Sequence, residues 1–223
     1  MSDTKLKFID LFCGIGGFHQ VLANELGHEC VLACDIDKSC REVYKSNYGL
    51  EPVPDVKKIK EKEMVDFDII CGGFPCQPFS NGGKKKTFDD NRGLLFDDIM
   101  RIAKEKRPKF MFLENVKHIL KVGNGEVLDY IKKKIAGNGY KLQIIQLSPH
   151  DYGIPQQRER VYFVCVRKEF AKSDVKLLRD KIPLDRDRFT PVSYTHLRAH
   201  ETKANLVSRL HHEKKKGGGG GGG

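Results

Sequence analysis

The strongest chemical signal in the chain is the run Cys71-Gly72-Gly73-Phe74-Pro75-Cys76-Gln77-Pro78-Phe79-Ser80, which follows directly on a buried apolar segment. A cysteine between two prolines, in a glycine-bounded loop, is held rigidly at the edge of the element before it. A structural cysteine does not need this setting, because a buried thiol packs anywhere in a strand. Cys76 is therefore the candidate nucleophile, and its reactive form is the thiolate. The loop continues as Asn81-Gly82-Gly83-Lys84-Lys85-Lys86. That stretch suits closure over a phosphate backbone, although three lysines are equally a solvated patch.

Three other groups stand out. Phe8-Ile9-Asp10-Leu11-Phe12-Cys13-Gly14-Ile15-Gly16-Gly17 sets three glycines between a strand and a helix, where backbone approaches a ligand closely. The spacing fails the dinucleotide fingerprint, so the turn is either a cofactor cradle of another kind or a tight corner. Asp35, ending the next apolar run, can accept from both hydroxyls of a ribose, or it can cap the following helix, a task Asp37 fits better. Asp55, after Pro52 and Pro54, can accept from an adenine amino group or simply hold a turn. Glu114 in Phe112-Leu113-Glu114-Asn115-Val116 is a carboxylate at a strand end, which is either reactive or a helix cap. Gln156-Gln157-Arg158-Glu159-Arg160 carries two arginines, for which Glu159 is an obvious surface partner.

These groups need elements to hold them. Apolar runs predict strands over 5–12, 30–34, 67–71, 109–113, 142–147 and 160–166. Helical spacing appears over 18–26, 38–48, 94–106 and 127–135, with Gly27 and Pro108 as stops and Gly137 and Gly139 as breakers. Strands alternating with helices predict an α/β fold, a mostly parallel sheet covered on both faces. Ligands of such sheets sit beyond the carboxyl ends of the strands, and every unusual sequence above falls at one of those ends.

Composition narrows the class. With 39% hydrophobic and 31% charged residues in 223, the chain is globular rather than disordered. No run approaches the roughly 20 apolar residues of a membrane helix, and the polar start shows no signal peptide, which predicts an intracellular protein. The seven cysteines lack zinc-knuckle spacing, and their odd number argues against a disulfide framework. The four histidines before residue 191, at 19, 28, 118 and 150, are scattered, so no metal is expected. The net charge of +10 suits a polyanionic partner, but residues 192–223 alone supply +4 of it.

Taken in order, FIDLFCGIGG, GGFPCQPFS, ENV and QQRER resemble the successive motifs of the cytosine-5 DNA methyltransferases of bacteria and phage, from Phe8 to about Val166. The resemblance implies a doubly wound, Rossmann-like methyltransferase sheet with an antiparallel last strand pair. It implies S-adenosylmethionine as cofactor, double-stranded DNA as partner, a monomer, and a cytoplasmic, nucleoid-associated protein acting in restriction-modification or as an orphan methylase. Cys76 would add to C6 of a flipped-out cytosine, Glu114 would stabilise N3 and contact the exocyclic amine, Arg160 would hold O2, and Arg158 would support the pocket. Phe12 and Ile36 would flank the adenine, Asp35 the ribose and Asp55 the adenine amino group. Gly14, Gly16 and Gly17 would meet the methionine portion, with Pro75 near the sulfonium. A branch of the family methylates tRNA, and a non-catalytic binding fragment is the other alternative; the failed fingerprint disfavours a dehydrogenase.

The family's target-recognition region, a further arginine motif and an Asn-bearing C-terminal segment are not found. Residues 1–190 are expected to be a catalytic domain incomplete at its C-terminus, binding DNA weakly, turning over poorly and exposing an apolar sheet face. Residues 191–223 are expected to be a non-native tail: VSYTHLRAHET resembles a translated sequencing adapter, and seven glycines end the chain.

Overall fold

A computed structural model describes residues 4–75 and 95–171; Cys76, the loop to Arg92, Leu94 and everything from 172 onward lie outside the described residues. The described chain divides into two units, 4–147 with 159–171, and 148–158.

The first unit runs β1 (Lys7–Leu11), α1 (Gly17–His19) continuing into a π-helical segment (Gln20–Glu25), β2 (Glu29–Cys34), α2 (Lys38–Tyr48), β3 (Ile69–Gly73), α3 (Leu95–Lys106), β4 (Phe110–Val116), α4 (Glu126–Gly137), β5 (Tyr140–Leu147) and β6 (Arg160–Arg167). The six strands form one sheet in the order β2-β1-β3-β4-β6-β5. Strands β1 to β4 pair in parallel, while β6 pairs antiparallel with both β4 and β5. The expected mostly parallel sheet is therefore present, and its last pair is antiparallel because the reversed strand β6 is inserted between β4 and β5.

Period-two alternation builds two cores. Ile9 and Leu11 of β1 face α3 and α4, where Ile99, Ile102, Ile131 and Ile135 are buried with Met111, Leu113 and Phe163. Phe8 faces the opposite side, against Leu22 of the π-helical segment, Ile69 and Cys71. Fully burying one such aliphatic side chain contributes about 1.5–3 kcal/mol. Helix α2 ends where its sequence signals stand: Asp37 accepts from the Cys40 N–H at its start, and Gly49 takes φ 70 at its end. After α3, Arg107 adopts φ 49 and donates its N–H to Ala103 O, closing the helix just before Pro108.

The structure corrects several boundaries. The 18–26 helix is not regular: Leu26 N–H reaches back to Val21 O, one residue further than an α-helix allows. Gly137 lies inside α4, and Gly139, at φ 85, makes the turn that follows. Strand β3 continues through Gly72 and Gly73 rather than ending at Cys71. A Cβ on Gly72 would stand 2.3 Å from Leu11 O, so only glycine lets β3 lie against β1 there. Strand β4 continues to Val116, so Glu114 is a strand residue and not a helix cap. The expected exposed apolar sheet face is not seen among the described residues. Both faces are covered, and of the exposed large hydrophobics only Val116 is in a strand.

The second unit, 148–158, holds one 3-10 turn, Pro149–Tyr152. Ser148 and Asp151 cap it reciprocally, and Gly153 ends it at φ 78.

Candidate active site

Two clusters lie at the carboxyl edge of the sheet in the first unit. The first surrounds the glycine turn. Phe12 leaves β1 at φ 56, a left-handed conformation that costs energy for a non-glycine residue and concentrates at functional sites. Gly14 and Gly16 follow at φ 54 and 94. Space beside Gly14 and Gly17 is open to 4 Å, whereas a Cβ on Gly16 would meet the Tyr48 ring at 2.2 Å.

Asp35 ties this turn to its neighbours. Its Oδ2 accepts from the Gly14 N–H at 2.8 Å and its Oδ1 from the Asp37 N–H at 2.9 Å. Asp37, not Asp35, caps α2. Ile36 beside it is 81% exposed, a large apolar side chain left against open space. Arg41 fixes the segment from behind, donating to the carbonyls of Asp35 (2.9 Å) and Ile36 (2.8 Å). The Asp55 loop joins the cluster through its backbone: Asp35 N–H donates to Val53 O at 3.0 Å, and Val53 N–H to Ala33 O at 2.8 Å. Asp55 itself caps the short turn Val56–Lys58 by accepting from Lys57 N–H. Arg101 of α3 holds that turn, donating to Val56 O (3.0 Å) and Ile59 O (2.9 Å) while it pairs with Glu61 and Asp98.

The second cluster joins β3, β4 and β6. Arg160 is the first residue of β6 and pairs across the ladder with Val116, two residues beyond Glu114 on the same face. Its Nε meets Glu114 Oε1 at 2.6 Å, with both side chains about four-fifths buried. The guanidinium also donates to Glu159 O at 3.0 Å. Glu159 is not the arginines' ion partner, as its position between them suggested; it pairs with Lys117 at 2.6 Å. Gly73 lies opposite Glu114, and a Cβ there would come within 3.1 Å of Glu114 Oε2. Buried Asn115 donates from Nδ2 to Phe74 O at 2.8 Å and accepts the Val116 N–H at 2.8 Å. It thereby anchors the backbone leading to exposed Pro75 and on to Cys76.

Five of the other thiols are poor nucleophiles. Burial pushes Cys30 and Cys34 up to about 12, and Cys13, Cys71 and Cys165 well above the ordinary thiol range, so they stay protonated at neutral pH. Among the described residues no group of three His, Cys, Asp or Glu could hold a metal, and no helix is long and apolar enough to cross a membrane.

The structure thus gathers Phe12, Gly14, Gly16, Gly17, Asp35, Ile36 and the Asp55 loop in one cluster, and Glu114 with Arg160 in another. Arg158 belongs to the second unit, where its N–H donates to Ser148 Oγ at 3.4 Å. Three contributors carried no role in the sequence reading: Asn115, Arg101 and Tyr48. Asn115 had a signal, an amide beside the motif carboxylate; Arg101 and Tyr48 read as ordinary helix residues.

Comparison with known proteins agrees with this geometry. A family model described as C-5 cytosine-specific DNA methylase matches residues 6–218. The type II methyltransferase M.HhaI of Haemophilus parahaemolyticus is 47% identical over 166 residues, covering 74% of this chain and 50% of that protein. M1.ScrFI of Lactococcus lactis subsp. cremoris is 46% identical over 165 residues, covering 72% of this chain and 41% of that protein. Among solved structures, a putative DNA modification methyltransferase encoded within an E. coli prophage superposes with a TM-score of 0.61 at 29% identity, covering 74% of this chain and 47% of that one. The chain thus spans half or less of the length of these relatives. The motif order, the sheet and the match over most of its residues agree: the chain belongs to the C-5 cytosine-specific DNA methylase family.

Proposed function

We propose that this chain carries the chemistry of methyl transfer to C5 of a cytosine in double-stranded DNA. The observation that carries the reading is the Glu114–Arg160 pair at 2.6 Å, two opposite charges held at the carboxyl edge beside the strand that leads to Cys76. A pyrimidine offers a matching edge, with O2 as an acceptor for the guanidinium and N3 and the amino group for the carboxyl group. We read the pair as being parted by the flipped base, with Arg160 moving to O2 and Glu114 to N3 and N4.

The Cys76 thiolate adds to C6, and electron density moves to N3, where Glu114 supplies a proton or a hydrogen bond. C5 is then nucleophilic and takes the methyl group. Loss of the C5 proton to a base lets the Cys76 sulfur leave from C6 as the thiolate, and any proton taken up at N3 returns to Glu114, restoring the aromatic ring. Asn115, by holding Phe74 O, keeps the backbone before Cys76 in register with Glu114.

The first cluster fits S-adenosylmethionine. Open space beside Gly14 and Gly17 admits a ligand against the backbone, and exposed Ile36 with Phe12 suits a flat adenine ring. Asp35 spends one lone pair of each oxygen on backbone N–H groups, which leaves acceptor capacity for ribose hydroxyls. Asp55 and Pro75 are read as flanking the adenine amino group and the sulfonium. When bound, this cofactor would supply the electrophilic methyl group, its S–CH3 bond breaking to leave the neutral thioether S-adenosylhomocysteine.

The test is covalent trapping. Duplex DNA with 5-fluorocytosine has no C5 proton to lose, so a correct mechanism stalls with sulfur bonded to C6. The chain plus S-adenosylmethionine should give a denaturant-resistant adduct that the Cys76→Ala variant lacks. An adduct retained in that variant, or none with duplex DNA, refutes the reading; an adduct formed only on structured RNA moves the substrate to RNA.

A further inference from the structure

Tyr48 lies at the last residue of α2, a helix fixed at both ends by Asp37 and Gly49. Its hydroxyl donates to Gly16 O at 3.0 Å, across a wide gap in sequence. Its ring fills the space a side chain at Gly16 would need, with Cε2 2.2 Å from the ideal Cβ. The same ring stacks on His19 at 3.9 Å between centroids, inclined 21°, and meets the edge of Tyr44 at 4.8 Å. His19 is locked in turn, its Nδ1 2.7 Å from the Tyr44 hydroxyl. One side of the glycine turn is thus filled by Tyr48, while the sides of Gly14 and Gly17 stay open.

We infer that Tyr48 is a positioning residue for the cofactor: it pins the Gly16 carbonyl and braces the turn in the shape that receives the methionine portion of S-adenosylmethionine. The inference rests on the cofactor reading above. Packing alone does not explain the residue, because a phenylalanine would stack on His19 equally well. The hydroxyl remains a donor across the working pH range, since burial raises its pKa further above the ordinary tyrosine value. Gly16 O also accepts the Gln20 N–H at 2.9 Å, so removing the hydroxyl leaves that carbonyl bonded and the helix start intact.

The variant is Tyr48→Phe, and the readout is binding by calorimetry, not turnover. S-adenosylhomocysteine carries the methionine portion; adenosine lacks it. The expected result is about fivefold weaker binding of S-adenosylhomocysteine, with adenosine binding unchanged and a cooperative melt lowered by no more than the roughly 2–8 °C that one lost hydrogen bond costs. Unchanged S-adenosylhomocysteine affinity overturns the inference, as does an equal loss for both ligands, which would mark a general loosening. If the unsubstituted chain binds neither ligand, the cofactor reading fails and this inference falls with it. If it binds both and only the variant result is negative, the cofactor reading stands alone.

Discussion

Asp10→Asn should change how the stability of this protein depends on pH. Asp10 sits mid-strand in β1, between Ala33 of β2 and Cys71 of β3, and is 1% exposed. Cys71 Sγ lies 3.8 Å from its Oδ1, while Oδ2 has no hydrogen-bond partner among the described residues. Burial pushes the carboxyl group from 3.8 up to about 8; the Cys71 thiol, the His19 N–H and the Tyr44 hydroxyl pull the other way more weakly. In the unfolded chain the group ionises at its ordinary value. Between those two values the folded state holds one proton that the unfolded state has lost. Stability from this residue is therefore fully present below 3.8 and declines as pH rises towards about 8. The decline is about 1.4 kcal/mol per pH unit, or about 3 kcal/mol between about pH 5 and about pH 7. Asparagine binds no proton and removes this slope, whatever constant offset it adds. Urea unfolding of both proteins across that window gives the comparison. Parallel stability curves for the two would refute a neutral, buried Asp10.

Two further substitutions probe the scaffold. Asn115→Ala leaves the buried Phe74 carbonyl without its donor, so unfolding free energy should drop by about 1–3 kcal/mol, and adduct formation at Cys76 should slow further than that loss alone explains. Denaturant titration combined with trapping kinetics separates the two effects; normal trapping would show that Asn115 is only structural. Gly72→Ala drives a Cβ to 2.3 Å from Leu11 O and should part β1 from β3, abolishing cooperative melting, whereas Gly17→Ala meets open space and should melt like the unsubstituted chain. Cooperative melting of both at the same temperature would contradict the close approach described for β3.

What a sequence reveals of its own fold follows from the range of the forces involved. Helix α2 is legible to the residue, because its helical spacing and its capping by Asp37 are local effects written within the element and the residue before it. Strand ends were misjudged where the chain is sustained by neighbours: Gly72, Gly73 and the stretch from Glu114 to Val116 have weak or ambiguous local preference, yet ladder bonds to flanking strands extend them. Glu159 shows the same limit from the other side. Next to two arginines in sequence, it reaches Lys117 instead, because the antiparallel β4–β6 ladder, with Arg160 opposite Val116, sets the residue before β6 beside the residue after β4.

Residue chemistry and motif order, both properties of the chain itself, sufficed to single out Cys76, Glu114, Arg160 and the glycine turn and to suggest the family. Their assembly depended on topology. Glu114 and Arg160 meet only because β6 runs backwards beside β4, which brings the start of one strand to the end of the other. Tyr48 reaches Gly16 only because α2 packs over the turn after β1. Asp10 looks like any strand residue until three strands and a helix close around it and burial changes its charge. Local sequence encodes which groups are available; long-range pairing and burial decide which of them meet and in what protonation state, since both are set by neighbours distant along the chain.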